Sequence, residues 1–177
     1  MIRLLTTIRS HPAVPMHGPE HHGMVPGVIL AAYRNSGGDI SRETIAAGID
    51  RGSNVPGGAC GFWGSCGAAI GAGIAAALIL DATPLTPNPR QRAQEFTARI
   101  LTAIAEITGG RCCQRETWLA LTHTARLSED CFGIHMQADT TLHCDQYRQN
   151  RECIRKQCPL WDLRVKKLPE IQLTMAG

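Results

Sequence analysis

The sequence predicts a mainly α-helical protein, a compact bundle of about five helices with a small cysteine-rich C-terminal lobe. Three observations carry that expectation. Hydrophobic residues make up 44% of the 177-residue chain but aromatics only 5%, so the apolar content is mostly Ala, Ile, Leu and Val, which favours closely packed helices over a sandwich. Ala93, Phe96, Ile100, Ile104 and Ile107 recur at three- and four-residue steps, forming one apolar helix stripe. From Asp130 the texture changes to polar, cysteine-bearing sequence. Residues 1–128 therefore read as the helical core and 129–177 as a metal-binding lobe.

The opening MIRLLTTIRS is expected to be a short arm, with a strand as the alternative, followed by the Pro/His-rich loop HPAVPMHGPEHHG. A first helix is predicted from near Pro26, a favourable first-turn residue, through GVILAAYRN, stopping at Gly37-Gly38. Asp39 or Ser41 caps a second helix over RETIAAGID. A glycine-rich loop follows, then a third helix from about Ser65 to Asp81. The three prolines of ATPLTPNPR break the chain, after which Asn88 caps a long fourth helix with Pro89 at its first position. Gly109-Gly110 ends it, and CCQRETWLALTHTARL reads as a fifth helix. FGIHMQADTTLHC is expected to form a strand or hairpin, followed by a short Cys-rich helix and a basic tail.

A net charge of +3 is too mild to argue for nucleic acid or an acidic membrane. The tail cations Arg148, Arg151, Arg155, Lys156, Arg164, Lys166 and Lys167 are diluted by Asp145, Glu152 and Asp162. They read as a solvated face rather than an RNA surface. No charged n-region leads into a long apolar stretch, so no signal peptide is expected. Ala68 to Leu80 is too short and too Gly/Ala-rich to span a bilayer. The expected location is cytoplasmic.

Eight cysteines in such a chain suggest metal or redox chemistry, because cytosolic thiols are otherwise kept reduced. Two stand in the stretch VPGGACGFWGSCGAAIGAGIAAALIL. Gly71-x-Gly73-x-x-Ala76 resembles a dinucleotide fingerprint, but no strand precedes it. The better reading is that Gly67, Gly71 and Ala75, four residues apart, let another helix approach closely. Cys66 lies near a helix start, where unpaired amides favour a thiolate. Cys60 is close enough to pair with it, share a metal or resolve a disulfide.

The features GVILAAY, GGDISRETIAAGIDRG, PGGACGFWGSCGAAIGA and GGRCCQR resemble the small helical C-GCAxxG-C-C family, regarded as redox-active. HGPEHHGMVPGVILAAY, CGFWGSCGAAIGAG, RCCQRETWLAL and NRECIRKQCPLW resemble more closely an uncharacterised prokaryotic family, whose members also occur fused behind class I methyltransferases. That resemblance implies a methyltransferase or a redox protein as partner. The early cysteine of the C-GCAxxG-C-C pattern is absent here, and HGPEHHGM stands in its place.

His17, His21 and His22, with Glu20, precede the first predicted helix. Gly18 and Pro19 exclude a helical metalloprotease motif, but a loop presenting imidazoles to a metal, or to acid–base chemistry, is an open alternative to a solvated loop. In the tail, Cys144-x8-Cys153-x4-Cys158-Pro159 supplies three thiolates. The fourth ligand is left open among Cys112, Cys113, Cys131 and His143, with Cys113 preferred. Such sites suit an iron–sulfur cluster, [4Fe-4S] first, or zinc. Adjacent side chains on a helix diverge by about 100°, so one of Cys112 and Cys113 can face the glycine-rich loop and the other the tail.

The expected function is therefore an iron–sulfur or sulfur-handling redox protein, with Cys60, Cys66 and Cys112 or Cys113 binding the cofactor. A zinc-stabilised interaction module and a metal-dependent enzyme using His17, His21, His22 and Glu20 are the alternatives. A homodimer is a further expectation. If the first and third predicted helices run parallel, the loop thiols and the histidines share one end of the bundle.

Overall fold

The computed structural model describes residues 1–138, 144 and 146–161. Among them are seven α-helices: α1 (Ile2–Arg9), α2 (Glu20–Asn35), α3 (Arg42–Ser53), α4 (Ala59–Phe62), α5 (Gly67–Ile79), α6 (Pro87–Ala105) and α7 (Cys113–Phe132). Two 3-10 turns, Gln146–Arg148 and Arg155–Gln157, lie in the tail. The mainly α expectation stands, with two more helices than foreseen.

The N-terminal arm is a helix rather than a strand. Ile2 and Leu5, three residues apart, are buried on one face, and the Met1 amine donates to the Gln137 carbonyl at 2.9 Å. Helix α2 begins six residues before the expected start and carries Pro26 in its interior. A proline there supplies no N–H to the carbonyl four residues back, which is that of His22. Two glycine backbones come up to that oxygen instead: a Cβ at Gly52 would lie 2.5 Å from it and one at Gly71 2.8 Å. Only glycine at these two positions lets α3 and α5 come so close to that carbonyl.

Ser41 caps α3 as expected, its hydroxyl accepting from the Thr44 amide at 3.2 Å. Helix α6 starts two residues early, with Thr86 at the N-cap and Pro87 at the first position. Helix α7 continues to Phe132 and stops at Gly133, whose φ of 68° is the left-handed conformation glycine adopts freely. No strand forms over the described residues 133–138. Residues 139–143 of that expected hairpin, His143 included, lie outside the described residues, as do Asp145, Asp162, Arg164, Lys166 and Lys167.

Helix α5 runs through the centre, touching α2, α3, α6 and α7. Its small residues make this possible: Gly67 abuts the His22 ring, Gly71 abuts Pro26 and Val25, and Gly73 abuts Thr97. These pairings put α5 parallel to α2, whereas the contacts of Gly23 with Ser53 and of Gly48 with Leu30 put α3 antiparallel to it. Around this crossing Leu30, Phe96, Ile100, Trp118 and Leu119 are buried, each stabilising by about 1.5–3 kcal/mol. Met136, Cys158 and Leu160, from the expected C-terminal lobe, belong to the same core. No described helix is long and apolar enough to cross a membrane.

Candidate thiol and imidazole site

The parallel run of α2 and α5 brings their N-terminal ends together, and the start of α7 joins them. Between these ends lies a cavity of about 310 Å³, lined among others by His17, His22, Cys60, Cys66, Cys113 and Glu116. The glycine-rich loop and the HGPEHH segment therefore meet, as the parallel alternative required. The fingerprint glycines face neighbouring helices instead: Gly71 meets α2 and Gly73 meets α6.

Cys66 occupies the N-cap of α5, and the amides of Ala68 and Ala69 favour its thiolate. The expected activation nevertheless fails. Burial, together with the neighbouring carboxylate of Glu116, pushes the thiol up to about 12. Its S–H donates to Glu116 Oε2 at 3.4 Å. Glu116 Oε1 accepts from the Cys112 amide at 3.2 Å and from Arg115 Nη2 at 3.2 Å. Arg115 and Glu116 are 3% and 8% exposed, so this is a buried ion pair whose geometry must offset its desolvation. Burial also raises the thiols of Cys112 and Cys113, despite Arg115 beside the first. Cys60 is exposed.

The histidines divide by their partners. His22 Nδ1–H donates to the Val55 carbonyl at 2.9 Å, so the neutral ring carries its lone pair on Nε2, beside Gly67. Such a backbone partner is what orients a metal-binding imidazole. His17 Nε2–H donates to Asn150 Oδ1 at 3.3 Å, leaving the lone pair on Nδ1, which is buried without a partner. His21 is different. Arg9 Nη1 donates to its Nδ1 at 2.8 Å, and its Nε2–H donates to the Pro15 carbonyl at 3.0 Å. Burial and the Arg9 charge hold it down to about 4. His21 also lines the cavity, but both its ring nitrogens already have partners in this arrangement. Glu20 is exposed and outside the cavity lining.

The tail forms a second thiol group. Cys144, Cys153 and Cys158 line a cavity of about 280 Å³ with Tyr147, Leu160 and Trp161. The adjacent cysteines do face two ways. Cys113 lines the first cavity, while Cys112 accepts from Asn150 Nδ2 at 3.7 Å and lies within electrostatic reach of Cys153 and Cys158. Of the two, Cys112 is the one placed toward the tail and Cys113 the one placed toward the first cavity. Cys131 sits at the far end of α7, beside Arg92 and Arg99. Among the described residues, no three His, Cys, Asp or Glu side chains are drawn together as a metal-holding group.

Glu116, Arg115 and Asn150 are the residues that sequence reasoning missed. Glu116 was open to detection, since an acid one turn inside a helix start often reaches back to the cap amide. Asn150 accepts locally from the Glu152 amide, but nothing local signals its distant partners His17 and Cys112.

A model of a family of unknown function (DUF5714) matches residues 1–161. No curated protein and no solved structure matches.

Proposed function

We propose a function from side-chain chemistry alone, because the chain belongs to DUF5714, a family of unknown function: a soft-metal and thiol redox protein whose working centre is the cavity at the starts of α2, α5 and α7. One observation carries this. Three sulfurs from separate segments (Cys60, Cys66 and Cys113) share that cavity with His22 and with the unpartnered Nδ1 of His17. An orphaned buried nitrogen beside several thiols fits a thiophilic group as its missing partner.

An iron–sulfur cluster is the preferred occupant, with zinc second, and the cluster would supply one-electron chemistry. Cys60, Cys66 and Cys113 are its candidate sulfur donors, and His22 Nε2 and His17 Nδ1 its candidate nitrogen donors. Glu116 is placed to take the Cys66 proton when that sulfur becomes a ligand, since the S–H already points at Oε2. Arg115 holds the carboxylate in position from the other side. Glu20 and His21 take no part in this centre.

A partner-binding role has its own support. Phe62 and Trp63, next to Cys60, are 89% and 65% exposed, a large apolar surface on a loop that borders the cavity. A redox partner or a methyltransferase would dock there.

Anaerobic purification with iron, zinc and acid-labile sulfide analysis tests the centre. Bound metal should fall in Cys66→Ser and in His22→Gln. In the metal-stripped protein at pH 8, alkylation followed by mass spectrometry should modify Cys60 at least ~100-fold faster than Cys66, because a thiol titrating near 12 is almost wholly protonated there. Unchanged metal content in both variants, or equal labelling of the two thiols, would overturn the proposal.

A further inference from the structure

We infer that Cys112, Cys144, Cys153 and Cys158 form a second, structural site: a tetrahedral four-thiolate zinc site that fastens the tail to the start of α7. It stands apart from the cavity centre and shares no donor with it.

The first argument is placement, although the four sulfurs as they stand are not drawn together as a metal-holding group. Three of the four cysteines line one cavity of about 280 Å³. The fourth, Cys112, accepts from Nδ2 of Asn150, which lies in the tail between Tyr147 and Cys153. The donors come from two segments separated in sequence, and each alone has too few thiols for a closed site. The turn at Gly109-Gly110 brings them together, with Gly109 against Ile154 and Gly110 against Glu152.

The second argument is what the sulfurs accept. The Arg155 amide donates to Cys153 Sγ at 3.4 Å, and the Leu160 amide donates to Cys158. In both cases the donor is two residues on, so the backbone folds around the sulfur. Cys112 accepts from the Arg115 amide and from Asn150 Nδ2. Sulfur in a neutral thiol is a weak acceptor, whereas a thiolate ligand gains from donors directed at it.

A third, independent observation is Arg115. Its guanidinium is buried and paired with Glu116, and its Nε–H has no acceptor. A divalent ion bound by four thiolates carries two net negative charges, and a buried cation beside it offsets part of that. Four soft sulfur donors select zinc among the abundant divalent ions. Binding draws the sulfurs to about 2.3 Å from the metal and releases one proton from each thiol to solvent.

The test uses the full chain carrying Cys60→Ser and Cys66→Ser, so that the cavity centre is disabled, stripped of metal under reducing conditions and titrated with cobalt(II). One cobalt per chain should bind with the strong visible absorption of tetrahedral thiolate coordination, and zinc should displace it. Adding Cys112→Ser should weaken cobalt binding more than ~10-fold, while adding Cys113→Ser should leave it as it was. Because a variant can fail to fold, alkylation of the wild-type chain with and without zinc gives a second readout, in which Cys112, Cys144, Cys153 and Cys158 should be protected together. An octahedral cobalt spectrum, wild-type affinity after Cys112→Ser, or absence of joint protection would overturn the site. Retention of acid-labile sulfide in the doubly substituted chain would also overturn it, by assigning a cluster to the tail.

Discussion

At the scale of single residues, the buried imidazoles make the fold acid-sensitive. His21 and His123 are each 1% exposed, and each titrates near 4 instead of 6.5, mainly through burial, with Arg9 and Arg126 adding to it. The unfolded chain binds these protons more readily, so stability is fully present above pH 6.5 and drains away as pH falls toward 4. Each group accounts for up to about 3 kcal/mol of that loss. His123→Leu removes one titration, and it removes a ring whose Nε2 is buried without a partner. Urea midpoints of this variant should fall less steeply than wild type between pH 7 and pH 4.5, by the equivalent of at least about 1 kcal/mol. Identical slopes would mean that His123 is not held neutral by the fold.

Among the helices, the close crossing of α2, α3 and α5 is the structure's least forgiving feature. A Cβ at Gly52 would meet backbone on every side, 2.5 Å from the His22 oxygen and 2.8 Å from the Gly23 Cα, whereas one at Gly61 would meet nothing within 4 Å. Gly52→Ala should therefore cost about 2 kcal/mol or more despite the better helix propensity of alanine. Gly61→Ala should be neutral or slightly stabilising, and denaturant titration of the two variants checks both. The α2–α5 half of this crossing was legible in the sequence, because Gly67, Gly71 and Ala75 share one helical face. The Ser41 cap and the stripe of α6 were legible for the same local reason. The start of α2 was not: Pro26 carries the signature of a first helical residue, yet the helix runs through it from Glu20. Helix α1 offers a single short apolar face, too little periodicity to separate helix from strand. At the site, the clustered cysteines and histidines announced themselves by type. Glu116 did not, because its bond to Cys66 spans fifty residues of chain, and the same distance hid the division of labour between Cys112 and Cys113.

For the molecule as a whole, three described residues beyond α7 (Met136, Cys158 and Leu160) join the buried core of the helices. Met136 is fully buried and its amide donates to Ser128 Oγ at 2.9 Å, and Leu160 is 4% exposed in the same cluster as Leu5 and Trp118. Met136→Ala should cost about 2–5 kcal/mol. Unfolding followed by circular dichroism and by tryptophan fluorescence, which samples buried Trp118 and tail Trp161, should remain coincident in the variant. Separate transitions would show a lobe that folds alone. One hydrogen-bonded amide has a consequence that reaches across this whole assembly. The Glu152 amide donates to Asn150 Oδ1 at 3.0 Å, which fixes which way the Asn150 side chain is turned: its oxygen faces His17 and its nitrogen faces Cys112. His17 must then carry its proton on Nε2 and its lone pair on Nδ1, which is buried without a partner. The tail backbone thus selects the tautomer of a histidine more than a hundred residues earlier, and that tautomer is fixed only once residue 150 has folded into place.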